Sequence, residues 1–391
     1  MPATDHLVYL DHAATTPMVP AAVEAMTRHL TDVGNPSALH ASGRAARRVV
    51  EESRETIAQA LGCRPGEVVF TSGGTESDNL AVKGVYWSRQ GDVRRPVVLA
   101  TAVEHHAVLD ALHWLEHDEA ARATLLGVDA HGRLDLDALR ARVAVDPASI
   151  ALVSVMWANN EVGTLQPVED VVAIAAAHGI PVHTDAVQAL GNVPVDFAAS
   201  GVDAMTVTGH KVGGPHGVGA LVVRREVEVT ALVHGGGQER DIRSGTLDAP
   251  AIAGFAAAVE LAVKEQSARA ERLTALRERL VDGVLRAVPD AVLNGDPTDR
   301  LPGNAHFGFP GCEGDSLLML LDARGIECST GSACSAGVPQ ASHVLLAMGQ
   351  AADRARSSLR FSMGHTSTQA DVDALVEAIG PCVERARAAK A

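Results

Sequence analysis

Before Ala249, short apolar runs alternate with stretches in which apolar residues recur every three or four positions. The runs EVVFTS, PVVLAT, TLLGVD, ALVSVMW, IPVHTD, AMTVTG and VGALVV are rich in valine and bounded by Gly, Pro and polar residues, which predicts strands. Between them ESDNLAVKGVYWSRQ, HAVLDALHWLEHDE, LDALRARVA and VEDVVAIAAAHG carry the helical period and predict crossover helices. Such alternation covers both faces of a mostly parallel sheet, so this part of the chain predicts an α/β fold. From about Ala249 the pattern changes. A long charged amphipathic stretch, AERLTALRERLVDGVLRAV, precedes short strand and helix patterns and a final helical stretch, DVDALVEAIGPCVERARAA, which predicts a smaller α+β domain. No internal repeat or low-complexity tract separates the two.

In an open α/β sheet, ligands collect where the carboxyl ends of strands lead into helices. The loops expected there are rich in chemistry. In TSGGTESDN the paired glycines let an anion approach the amides that open a helix, a phosphate-type loop at Gly74 and Thr75; the stretch reads equally as an ordinary helix start, with Thr75 and Asp78 at capping-box spacing. AVEHHAVLD brings His105 and His106 into a helix, where neighbours point apart, so one of the two faces a pocket and a chelating pair is not expected. ANNEVGTLQP follows an apolar strand with two asparagines and a glutamate. TDAVQALG puts Asp185 at a strand end with Gln188 after it, although a helix cap accounts for the aspartate taken alone. VTGHKVGGPHGVGAL sets Lys211 among glycines and small apolar residues. A phosphate loop, an acid and a lysine amine converging on one crevice are the equipment for pyridoxal phosphate. The lysine holds the aldehyde, the acid keeps the pyridine nitrogen protonated and the ring draws electrons. Small residues around Lys211 leave room for the flat ring.

The ordered motifs YLDHAATTP, GNPSALHASGRAA, FTSGGTESDN, EHHAVL, NNEVG, TDAVQALG, TGHKVGGPHGVGAL, RSGT, STGSACSAG and SLRFSMG run through nearly the whole chain, and on them the sequence resembles the cysteine desulfurases of the NifS/IscS type. The resemblance implies the fold type I of pyridoxal-phosphate-dependent transferases, class V aminotransferase branch, and a homodimer. It implies conversion of L-cysteine to L-alanine, with sulfur left as a persulfide on an enzyme cysteine. The sulfur then passes to an acceptor such as an iron-sulfur scaffold or a tRNA thiolation enzyme. It divides the chain into a large cofactor-binding domain, residues 16–259, and a small domain, residues 1–15 with 260–391, that carries the catalytic cysteine.

Residue by residue, the resemblance implies Lys211 as the lysine holding the cofactor, Asp185 as the pyridinium partner and His105 as the residue that stacks on the ring and moves protons. Asn160 and Gln188 fall near the ring hydroxyl, while Gly74, Thr75, Thr208 and His210 hold the phosphate and Thr246 reaches the phosphate of the neighbouring subunit. Arg360 clamps the substrate carboxylate, and Asn35 lies in a motif lining the same pocket. The nucleophile falls on Cys334, in the small, polar stretch STGSACSAGVPQASH that suits a loop carrying sulfur, rather than on Cys328, which reads as a strand end; Cys63 and Cys382 lie in apolar helical contexts and read as core. The chain departs from the family at Trp157, Gly213, His216 and Thr208, where histidine, an aromatic, a basic residue and serine are common; the first two are expected to reshape the pocket wall. A selenocysteine lyase or another class V aminotransferase would share this fold. A metal-binding protein using the 17 histidines and the thiols is disfavoured, because the histidines are scattered and no ligand spacing recurs, so no metal site is expected.

The 391 residues are 47% hydrophobic and 21% charged, ordinary for a globular chain long enough for two domains. A formal net charge of −15 argues against nucleic acid or an anionic membrane as main partner. The start MPATDHLVYLDHAATTP has neither a basic nor an apolar leader segment, and no apolar run approaches the roughly 18 residues of a membrane span, so a cytoplasmic protein is expected. Five cysteines without CxxC spacing predict thiols rather than a disulfide framework.

Overall fold

The computed structural model describes residues 7–331 and 341–390. Its strands are β1 (Val8–Tyr9), β2 (Val68–Thr71), β3 (Val97–Thr101), β4 (Arg122–Leu126), β5 (Ile150–Ser154), β6 (Val182–Asp185), β7 (Ala204–Thr208), β8 (Gly219–Val223), β9 (Val292–Asn294), β10 (Asn304–Gly308), β11 (Ile326–Glu327) and β12 (Ser358–Ser362). A central sheet takes the order β2-β8-β7-β6-β5-β3-β4. Its strands from β7 to β4 are parallel neighbours, and β8 runs antiparallel to both β7 and β2. The mostly parallel sheet read from the apolar runs is therefore the one observed. The strand expected at TLLGVD starts earlier, at Arg122, because its partner β3 fixes the register from Val97↔Arg122 to Thr101↔Leu126.

Two consecutive reversals at β8 leave β2 pointing the same way as β7. The loops after β2, β3, β5, β6 and β7 consequently leave one edge of the sheet, the arrangement that gathers separate motifs into one site. Central strands such as β5, buried along their whole length, read as continuous apolar runs because helices cover both faces. The helices Gly74–Ser88, His106–Glu119, Leu136–Val145 and Val168–Ala176 fall on the stretches with helical period.

The helix Ala249–Lys264, where the pattern changes, still belongs to the core of this sheet: Ile252, Phe255 and Val259 join it, and the helix packs on Pro20–Thr27 and Ala41–Leu61. A second core gathers Val8 and Leu10 with residues from Leu273 onward. Phe307 and Phe361, on the three-stranded sheet β12-β10-β9, meet Leu280 of the helix Gln266–Ala287 and Val372 and Ile379 of the helix Gln369–Lys390 there. Among the described residues no helix is long and apolar enough to cross a membrane, and no cluster of His, Cys, Asp or Glu could hold a metal ion.

Candidate active site

At the shared strand edge lies a cavity of about 370 Å³. It collects ten of the expected residues on its wall: Gly74, Thr75, His105, Asn160, Asp185, Gln188, Thr208, His210, Lys211 and Arg360. Asn35 and Thr246 are exposed and do not line it, and Cys334 lies outside the described residues.

Each side chain is positioned for a local reason. Two residues beyond β2 stands Gly73, whose φ of +146° favours glycine, and it caps the helix Gly74–Ser88 with no side-chain bond, leaving the first-turn amides open to an anion. The capping box between Thr75 and Asp78 is not formed. Asp78 is instead fully buried against His183, 3.6 Å from its Nε2. His105 is the N-cap of the helix after β3 and its Nδ1 accepts from the Ala107 amide at 3.1 Å, so the ring proton sits on Nε2. Being a cap in extended conformation, His105 does not follow the helical angle, and both it and His106 line the cavity; the expectation that only one of the two would face a pocket is corrected. His343, whose Nε2 donates to the Glu104 carbonyl at 2.9 Å, brings its ring to 4.9 Å from that of His106 and joins the same wall.

The two adjacent asparagines divide the work. Asn159 is buried, accepting from the amides of Glu161 and Val162 at 2.9 Å each and donating to the Val103 carbonyl, so it shapes the turn. Asn160 faces the cavity. Asp185 closes β6 and accepts from the Val187 amide at 2.9 Å, while Gln188 donates to the Ala13 carbonyl at 2.9 Å. After β7 a single 3₁₀ turn, Gly209–Lys211, presents His210 and Lys211; the Lys211 Nζ donates to the carbonyls of Ala13 and Ala14, at 2.7 Å for the latter.

Burial sets the electrostatics. It brings the Lys211 amine down to about 8, helped by the Arg360 charge. It pushes the Asp185 carboxyl up to about 6 against the opposing pull of the Val187 amide and Lys211. His105 is lowered to about 4 by burial and then by Lys211, and His210 likewise, so both are neutral near pH 7. These features fit pyridoxal phosphate. The volume suits a small cofactor, an amine reaches the cavity, a glycine-capped helix end can take phosphate, and a buried acid stands at the end of β6.

Sequence reasoning missed His343, Ser329 and Gly331, which also line the cavity; their position flanking the cysteine-bearing stretch was the available signal. Neither Trp157 nor Gly213 lines the cavity directly. Gly213 has φ +85° and a Cβ there would stand 2.7 Å from Val19 Cγ1, so this backbone leaves no place for an aromatic. His216 stacks on His210 at 5.3 Å. Burial pushes the Cys63 and Cys328 thiols up to about 12, and Cys382 packs in the second core.

The sequence matches the class-V aminotransferase family over residues 8–375. It is 58% identical over 385 residues, 98% of each chain, to an IscS-like cysteine desulfurase of Mycobacterium tuberculosis. To cysteine desulfurase IscS of Methanosarcina thermophila it is 42% identical over 381 residues, 97% of this chain and 93% of the other. Among solved structures it is similar to a NifS-like protein, with a TM-score of 0.90 at 36% identity over 97% of this chain and 100% of that one. It is also similar to SspA in complex with cysteine, with a TM-score of 0.78 at 32% identity over 91% and 98% of the two chains.

Proposed function

The chain belongs to the class-V aminotransferases and, within them, to the cysteine desulfurases, and from that premise we propose how its residues divide the removal of sulfur from L-cysteine. The pyridoxal phosphate on which the family depends supplies, when bound, a ring that withdraws electrons from the substrate's α-carbon. The observation that carries the assignment is the buried Lys211 amine, lowered to about 8 on the wall of a cavity that also holds Asp185. Lys211 would hold the aldehyde of the cofactor and, together with His105, would move protons at the substrate's α-carbon. Asp185 would keep the ring nitrogen protonated. Gly74, Thr75, Thr208 and His210 would hold the phosphate, with Thr246 contributed by a second copy, and Asn160 and Gln188 would bind near the ring hydroxyl. Arg360, on the cavity wall, binds the substrate carboxylate. The Cys334 thiolate attacks the substrate sulfur; the new S–S bond forms as the C–S bond breaks, its electron pair stays with the carbon fragment, and that fragment takes up a proton and leaves as L-alanine.

Leu30, Val33 and Leu39, exposed around Asn35, form apolar surface suited to a second copy of the chain in a homodimer. We assign residues 16–259 to a large domain and residues 1–15 with 260–391 to a small one. The thiols of Cys63, Cys328 and Cys382 fit a reducing compartment, the cytoplasm, where an iron-sulfur scaffold or a tRNA thiolation enzyme would take the persulfide sulfur. Incubating the loaded enzyme with L-cysteine and no acceptor should give alanine and protein-bound persulfide in equal amounts. Alanine with free sulfide and no protein-bound sulfur would overturn the persulfide reading.

The Asp185→Asn variant should lose several decades of turnover, each about 1.4 kcal/mol of barrier, because the amide cannot stabilise a protonated ring nitrogen. In the cofactor-free protein the same change should raise the melting temperature near pH 7. The folded carboxyl titrates near 6 against a usual 3.8, so the stability it contributes is present below about pH 4 and lost as pH rises through about 6. Equal melting curves for the two proteins near pH 7 would contradict the burial of this charge.

A further inference from the structure

Arg360 is already engaged in this cavity. Its Nη2 donates to Asp11 Oδ1 at 2.7 Å and its Nη1 to the Asn160 carbonyl at 2.8 Å, while Nε is buried with no hydrogen-bond partner. The arginine side chain is 5% exposed and that of Asp11 20%. Backbone pairing sets both ends of the ion pair, since Arg360 lies in β12 and Asp11 bridges Ser362 of the same strand. Two residues beyond Asp11, on the same segment, the Ala13 carbonyl receives the Lys211 amine.

We propose that Asp11 is a positioning residue: an internal carboxylate that holds the Arg360 guanidinium and against which the α-carboxylate of an amino acid must bind. This rests on the reading that Arg360 takes that carboxylate. Nη1 and Nη2 each carry two N–H donors, of which Asp11 and the Asn160 carbonyl take one apiece, so a second carboxylate can be accepted, but only beside the first. Two anions on one cation in a largely buried site repel, and the affinity that remains is the difference between that repulsion and the new hydrogen bonds. Substrate and product carry the same α-carboxylate. Tight binding of that shared group would hold back alanine as firmly as it captured cysteine, without helping the chemical step. Asp11 keeps the clamp oriented and weak.

L-Alanine tests this directly, because it has the carboxylate and the amine but no sulfur to transfer. The Asp11→Asn variant keeps an oxygen for Arg360 and removes the charge; Asp11→Ser also removes the charge and serves if the first variant fails to fold. Titrating alanine into cofactor-loaded protein and following the visible absorbance should give a dissociation constant at least about fivefold lower than wild type, with ethylamine, which lacks the carboxylate, shifted less than about twofold. Alanine binding that is unchanged or weakened, or tightening shared equally by ethylamine, overturns the proposal. Arg360→Gln run alongside separates the two layers. If it weakens alanine strongly while the Asp11 variants do not tighten it, only the role of Asp11 falls; if it leaves alanine binding unchanged, the reading of Arg360 falls as well.

Discussion

The Lys211→Ala variant should emerge colourless once free cofactor is removed and should make no alanine from L-cysteine. Lys211 is the one lysine on the cavity wall among the described residues, so no other described amine can take over the aldehyde. Burial makes it reactive as well as unique. With the amine brought down to about 8, on the order of a quarter is the nucleophilic free base near pH 7.5, against about one part in a thousand for an exposed lysine. Arginine at the same position should be equally inactive, because a guanidinium does not give up its proton in this range. Burial already works against the charged amine, so its removal should cost little stability, and a cofactor-free melting temperature near that of wild type separates lost chemistry from lost fold. A visible cofactor band that survives borohydride-free dialysis in the alanine variant would place the attachment point elsewhere.

The Cys334→Ser variant should divide cofactor chemistry from sulfur transfer. It should purify yellow and respond spectrally to added L-cysteine, because the lysine, the acid and the phosphate loop are untouched. It should form no persulfide and essentially no alanine, since a serine hydroxyl near neutral pH is neither ionised nor a sulfur acceptor. Cys334 lies outside the described residues, but Gly331 before it and His343 after it in sequence both line the cavity. Cys328 is the control. Its thiol is pushed up to about 12 by burial and then by Asp11, and it does not line the cavity, so Cys328→Ser should stay active. Wild-type alanine production by the Cys334 variant, or loss of it in the Cys328 variant, would reverse the choice of nucleophile.

The sequence by itself determined the sheet, the helices that cover it and the loops that carry chemistry. These patterns are local, read over a few neighbouring residues: IALVS is a short apolar run of strand length, and HAVLDALHWLEHDE keeps the helical period. It also determined that Gly74, Asp185 and Lys211 would meet, because strands pointing the same way put their following loops on one edge. Only the tertiary structure decided that His106 and His343 share a wall and that Asp78 is buried rather than capping its helix. It alone paired Asp11 with Arg360, 349 positions apart in the chain. It also lowered Lys211 and raised Asp185 from their ordinary values. Ionisation and pairing follow from what packs around a group from distant parts of the chain, and a local pattern of apolar and polar residues carries no record of those neighbours.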